Sequence, residues 1–126
     1  TFTAKRAVTP KFLFIAGGIG ITPIRAMLEG LTPSILLYAC RTLADAAFYR
    51  ELKAMPHRSH LILSAEKLAD QEYGYIDEEK LNRLTPDFAS RDIYLCGPPP
   101  LMLGLITTLR RLGVPKRQIH FERFGY

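Results

Sequence analysis

Five short apolar runs punctuate the chain, and segments of helical period separate them. The runs are Phe12–Ala16, Ile35–Ala39, Leu61–Leu63, Ile93–Leu95 and Ile119–Phe124. The first four are apolar at successive positions, the habit of strands buried on both faces. The fifth alternates, with Ile119 and Phe121 on one side and His120, Glu122 and Phe124 on the other. After the first run, Ile24, Met27, Leu28 and Leu31 recur at helical spacing, behind Thr22 as N-cap and Pro23 at the first helical position. A second helix is expected from about Thr42 to Met55, with Thr42 and Asp45 spaced as a capping box and Pro56 as its stop. Asp77–Leu84 reads as a short third helix. A fourth buries Leu105, Ile106, Leu109 and Leu112 and ends at Gly113 and Pro115. Between the third run and the third helix, Ser64–Tyr75 has no legible period. The alternation implies one α/β domain over residues 1–126, built on a five-stranded parallel sheet flanked by helices.

Composition narrows the class. The 126 residues are 48% hydrophobic and 23% charged, ordinary for a soluble domain large enough to bury a core. No apolar run approaches the ~20 residues of a membrane span, and Thr1–Pro10 lacks the apolar block of a signal peptide. Cys40 and Cys96 form no CxxC pair, which suits a reduced, cytoplasmic setting. His57, His60 and His120 fall in no metal-ligand spacing. The net charge of +5 is mild, and the basic residues are dispersed. That disfavours a nucleic-acid module.

The candidate chemistry collects where the strands end, the side on which parallel α/β sheets bind ligands. Gly17-Gly18-Ile19-Gly20-Ile21-Thr22-Pro23 follows the first run, and Cys40-Arg41 the second. Ser64-Ala65-Glu66 follows the third and Cys96-Gly97-Pro98-Pro99-Pro100 the fourth; Glu122 and Phe124 close the fifth. Glycines admit a pyrophosphate close to the backbone, and a helix beginning at Thr22 offers N–H groups and the positive end of its dipole. The loop departs from G-x-G-x-x-G, because Pro23 stands at the last glycine. On the loop alone, tight packing and phosphate binding stand level. Cys96 reads either as a small buried hydrophobe or as a rim residue against which an aromatic ring rests. Pro98–Pro100 stop the strand and open the next helix.

The paired motifs GGIGITP and CGPPPLM, with the ending IHFERF, resemble the nucleotide-binding domain of the ferredoxin–NADP reductase superfamily. The resemblance extends over essentially the whole chain, and YACRT with AAFYREL is most similar to oxygenase reductases. It implies a sheet ordered 3-2-1-4-5 and a domain that follows a flavin-binding domain on its N-terminal side. Gly17, at the head of the loop, would join Gly18, Gly20, Ile21, Thr22 and Pro23 in holding the pyrophosphate and the nicotinamide ribose. Cys96 would lie beside the nicotinamide, with Gly97, Pro98, Pro99 and Met102 shaping that end. Glu122 would belong to the polar network near hydride transfer, and Phe124 would cover the flavin, although ordinary packing also accounts for Phe124.

Two departures refine this. No flavin motif occurs, so FAD belongs on a separate domain. Where NADP-specific members carry Ser-Arg, Ser64 is followed by Ala65 and Glu66, which favours NADH, with NADPH admitted and Arg41 able to meet a phosphate or cover the adenine. The expected function is therefore an FAD-dependent oxidoreductase, inactive as the isolated domain. It takes hydride from NAD(P)H to flavin and passes electrons to an iron–sulfur or haem acceptor. The alternative is a non-catalytic nucleotide-binding regulatory module.

Overall fold

A computed structural model describes residues 11–18, 34–46, 49–54 and 58–122. Among them, six strands form one parallel sheet: β1 (Phe12–Gly17), β2 (Ser34–Cys40), β3 (Arg58–Leu63), β4 (Glu72–Tyr73), β5 (Asp92–Cys96) and β6 (Ile119–Glu122). Their order is β4-β3-β2-β1-β5-β6. Three α-helices are described: α1 (Tyr49–Lys53), α2 (Glu78–Leu84) and α3 (Pro99–Arg111). Single 3-10 turns stand at Leu43–Asp45, Phe88–Ser90 and Lys116–Gln118.

The apolar runs are explained by burial on both faces. Leu13, Ile15, Ile35, Leu37, Ile93 and Leu95 face one core, closed by Leu81 and Leu84 of α2 and by Met102, Leu105 and Leu109 of α3. The alternate residues Phe14, Leu36, Tyr38, Leu61, Tyr94 and Cys96 build the other, against which Ala46, Tyr49 and Leu68 pack. Each fully buried Leu, Ile or Phe contributes about 1.5–3 kcal/mol, so the strand assignment rests on the largest favourable term available.

Five strands were expected, and the sheet has six. The five foreseen lie in the foreseen order; β4 adds an edge beyond β3, pairing Glu72 with Ile62 and Tyr73 with Leu63. Two residues, one charged and one half-exposed, make no apolar run, so the pattern within 64–75 had nothing to display. Side chains supply the tie instead. The Arg83 guanidinium of α2 donates to both Glu72 oxygens at 3.0 and 2.6 Å and also to Glu79.

The second expected helix is also corrected. Its described residues hold the turn Leu43–Asp45 and the five-residue α1 rather than one helix from Thr42. The Thr42 hydroxyl donates to the Asp45 carboxylate at 3.1 Å and caps no N–H, so no capping box forms. The Leu43 N–H is taken by the Glu66 carboxylate at 2.6 Å. The Asp45 N–H, which a capping box would tie to the Thr42 hydroxyl, bonds the Thr42 carbonyl at 3.1 Å instead.

Other local signals hold. Asp77 caps α2 by accepting from the Lys80 N–H at 3.0 Å. Gly113, at φ 94°, ends α3, with its N–H on the Arg110 carbonyl and the Val114 N–H on that of Leu109. That pair of bonds is a Schellman closure, which needs the left-handed conformation glycine adopts at no steric cost. The helix expected behind Thr22 lies outside the described residues, as does Phe124 at the end of the fifth expected strand.

Candidate nucleotide-binding site

Parallel registry brings the strand ends to one rim. Gly17 pairs with Ala39, Ala16 with Cys96, Cys40 with Leu63, and Cys96 with Glu122. Segments far apart in sequence therefore meet along a single edge, where the backbone leaves the sheet and its N–H groups are no longer committed to the ladder.

At the centre of that rim, two glycines touch. A Cβ on Gly97 would stand 3.1 Å from the Gly17 nitrogen, 3.2 Å from its Cα and 3.1 Å from Met102 Cε. A Cβ on Gly17 would meet Leu101 Cδ2 at 2.9 Å and Pro98 Cδ at 3.4 Å. The loop leaving β1 is thus wedged against the first turn of α3: a side chain at Gly97 would press on backbone, one at Gly17 on the tip of the Leu101 side chain. Gly18 is next, exposed and at φ 55°, with open space where its Cβ would be. Here chain geometry rather than crowding favours glycine.

Cys96 ends β5 and is fully buried. Gly97 is buried as well, Pro98 and Pro99 are half-buried, and Met102 is completely enclosed. Met102 therefore acts beneath the rim: its thioether methyl fills the space under Gly17 and Gly97. The Glu122 backbone stands opposite Cys96. Gly20, Ile21, Thr22, Pro23 and Phe124 lie outside the described residues.

The adjoining part of the rim is zipped by hydrogen bonds. The Ser64 N–H donates to the Cys40 carbonyl at 3.0 Å and the Ala65 N–H to the Arg41 carbonyl at 2.8 Å. With the Glu66–Leu43 bond, these join the loops after β2 and β3. The exposed Arg41 and the Ala65-Glu66 pair consequently sit side by side. Burial pushes the Cys40 thiol up, while hydrogen bonds from Tyr38 and from the Gly18 backbone pull it the other way.

A polar cluster that the motifs did not reveal lies along β5 and β6. His120 Nε2 is 2.9 Å from Asp92 Oδ1, and its ring stacks on Tyr94 with centroids 4.5 Å apart. Asp92 is wholly buried. Burial, with the Asp92 charge adding to it, pushes the Tyr94 phenol up to about 12. The one visible hint was an acidic residue opening an apolar strand. No group of metal-binding side chains occurs among the described residues, and no described helix is long and apolar enough to cross a membrane.

Residues 14–106 match the oxidoreductase NAD-binding domain family. The chain belongs to that family. The NAD-binding domain is 30% identical to the glycine betaine monooxygenase reductase subunit of Pseudomonas aeruginosa, with 91% of this chain and 35% of the relative covered. It is 32% identical to a flavohemoprotein of Rhodopirellula baltica, over 98% of this chain and 35% of that one. A solved structure of the flavohem-like FAD/NAD-binding domain of Vibrio cholerae nitric oxide dioxygenase superposes with a TM-score of 0.80 at 28% identity. The match covers 94% of this chain and 52% of that one. The resemblance to ferredoxin-reductase-type flavoproteins holds, and this NAD-binding domain spans about a third of the length of the curated relatives it matches.

Proposed function

We propose that this domain binds and orients the reduced nicotinamide nucleotide of a flavin-dependent electron-transfer reductase. The flavin would sit on a separate domain preceding residues 1–126, and an iron–sulfur or haem centre would accept the electrons. The reading is carried by the Gly17–Gly97 contact beneath the exposed Gly18, at the rim where parallel sheets bind nucleotides. Two adjacent residues without Cβ, Gly17 packed on Gly97 and Gly18 exposed, suit a pyrophosphate, which must approach the backbone closely.

When bound, the nucleotide supplies the hydride, delivered from nicotinamide C4 to flavin N5. The protein supplies position. Gly17 and Gly18 open the phosphate loop, continued by Gly20, Ile21, Thr22 and Pro23. Arg41 flanks the adenosine end, where Glu66 disfavours a 2′-phosphate and hence NADPH. Gly97, Pro98 and Pro99 shape the nicotinamide end from above, with Met102 supporting them from within the core. Cys96, Glu122 and Phe124 complete the hydride-transfer end, with Phe124 covering the flavin. Two reduced thiols accord with work in the cytoplasm.

The test is a comparison of the domain alone with the domain joined to its flavin partner. Alone, it should be colourless, bind NADH or ADP-ribose in calorimetry and reduce no acceptor. Joined, it should reduce the flavin with NADH. Stoichiometric FAD on the isolated domain, or no nucleotide binding, would overturn the assignment. Binding without flavin reduction in the joined protein would leave the regulatory alternative.

A further inference from the structure

Among the described residues, β6 is a four-residue strand on the edge of the sheet, paired with β5. Short edge strands hold their register weakly, and a slip of one residue moves every side chain to the opposite face. Two side-chain anchors fix this one. Gln118 Nε2, just before the strand, donates to the Ala89 and Arg91 carbonyls at 2.8 and 3.0 Å. Within the strand, His120 is held by Asp92 at 2.9 Å and by stacking on Tyr94 at an interplanar angle of 19°.

The second anchor is the informative one. A carboxylate with no solvent exposure is costly to bury and is maintained only when its hydrogen bonds are made. Asp92 is itself set in the sheet, its N–H donating to the Lys11 carbonyl at 2.9 Å. Tyr94 lies between Asp92 and Cys96 in the alternation of β5, and His120 is its register partner. One pleat further along, the same register sets Glu122 against Cys96. A strand out of register at His120 would bring a different residue to Cys96.

We propose that Asp92 and His120 are positioning residues for hydride transfer, locking β6 in the one register that sets Glu122 opposite Cys96. The pair touches neither nucleotide nor flavin and acts through the strand. The inference rests on the role proposed above for Glu122.

Three variants of the flavoprotein in which this domain is joined to its flavin partner test it: His120→Phe, His120→Gln and Glu122→Gln. His120→Phe keeps an aromatic ring for Tyr94 and deletes the bond to Asp92. Flavin reduction at saturating NADH should slow by about ten-fold or more while the NADH dissociation constant stays within about two-fold, because hydride transfer is sensitive to small misplacements. His120→Gln, whose amide can donate to Asp92, should recover most of the rate. Amide hydrogen exchange should quicken across residues 119–122 in His120→Phe and not in β1 or β2. An unchanged reduction rate in His120→Phe, or equal losses of rate and affinity, would overturn the positioning role. Slow reduction in Glu122→Gln with normal His120→Phe would discard this inference and keep the reading of Glu122. Normal reduction in Glu122→Gln would remove that reading and the inference with it.

Discussion

Gly97 lies so close to Gly17 that any Cβ at position 97 would press on backbone, 3.1 Å from a nitrogen and 3.2 Å from a Cα. Backbone cannot rotate aside as a side chain can. In Gly97→Ala, one of the two strand exits must therefore move. Overpacking of this kind costs about 1–3 kcal/mol. The expected result is a lower thermal midpoint together with weaker NADH binding in calorimetry. Wild-type values for both would show that the rim tolerates a side chain.

Cofactor choice should follow the loop after β3. Glu66 stands beside the exposed Arg41, where a 2′-phosphate would meet a carboxylate, so the wild-type domain should bind NADH more tightly than NADPH. Ala65→Arg combined with Glu66→Gln should reverse the order. The glutamine carbonyl can still accept from the Leu43 N–H, so the turn is expected to survive. Comparative titration with the two nucleotides decides; tighter NADPH binding by the wild type would put Arg41 in control.

Acid should weaken the base of the sheet. Arg91 Nε donates to Asp87 at 2.8 Å, and its Nη1 reaches the Phe12 carbonyl at 2.9 Å. The Arg91 guanidinium holds the Asp87 carboxyl below the usual carboxylate range. A lowered folded-state value stabilises above the unfolded value, and that gain is lost as pH falls through the folded one. Because Asp87 is partly exposed, the gain should be below about 1 kcal/mol. Urea unfolding of wild type and Asp87→Asn should differ at pH 7 and converge in strong acid. A difference independent of pH would exclude this ion pair as its source.

Neither cysteine is in a disulfide, and β1 stands between their strands. Strands two apart are ~9–10 Å distant, beyond the ~7 Å between Cα atoms that a bridge allows. Burial raises the Cys40 thiol, so it should react slowly with a thiol reagent at pH 8 in the native state. Both thiols should titrate once the protein is unfolded without reductant. Fast native modification of Cys40 would contradict its burial.

The sequence alone determined the five main strands, the α/β class and the rim on which the candidate residues gather. Continuous apolar runs are the direct imprint of burial on two faces, and Gly113 and Asp77 mark helix ends through bonds made within a few residues. Gly17-Gly18 and CGPPPLM were legible for the same local reason, since glycine and proline act on their own backbone. Tertiary structure decided the rest. β4 pairs with the edge of β3 and Arg83 reaches Glu72, neither of which leaves a period in 64–75. The turn after Thr42 is tied by Glu66, 23 residues later, which accepts from the Leu43 N–H. Met102, expected to shape the nicotinamide end, is wholly buried against Gly17 and Gly97 once α3 docks. Asp92 met His120 only because β5 and β6 lie side by side. Local periodicity records which face of an element is buried; it carries no record of which distant donor or carboxylate will arrive at its end.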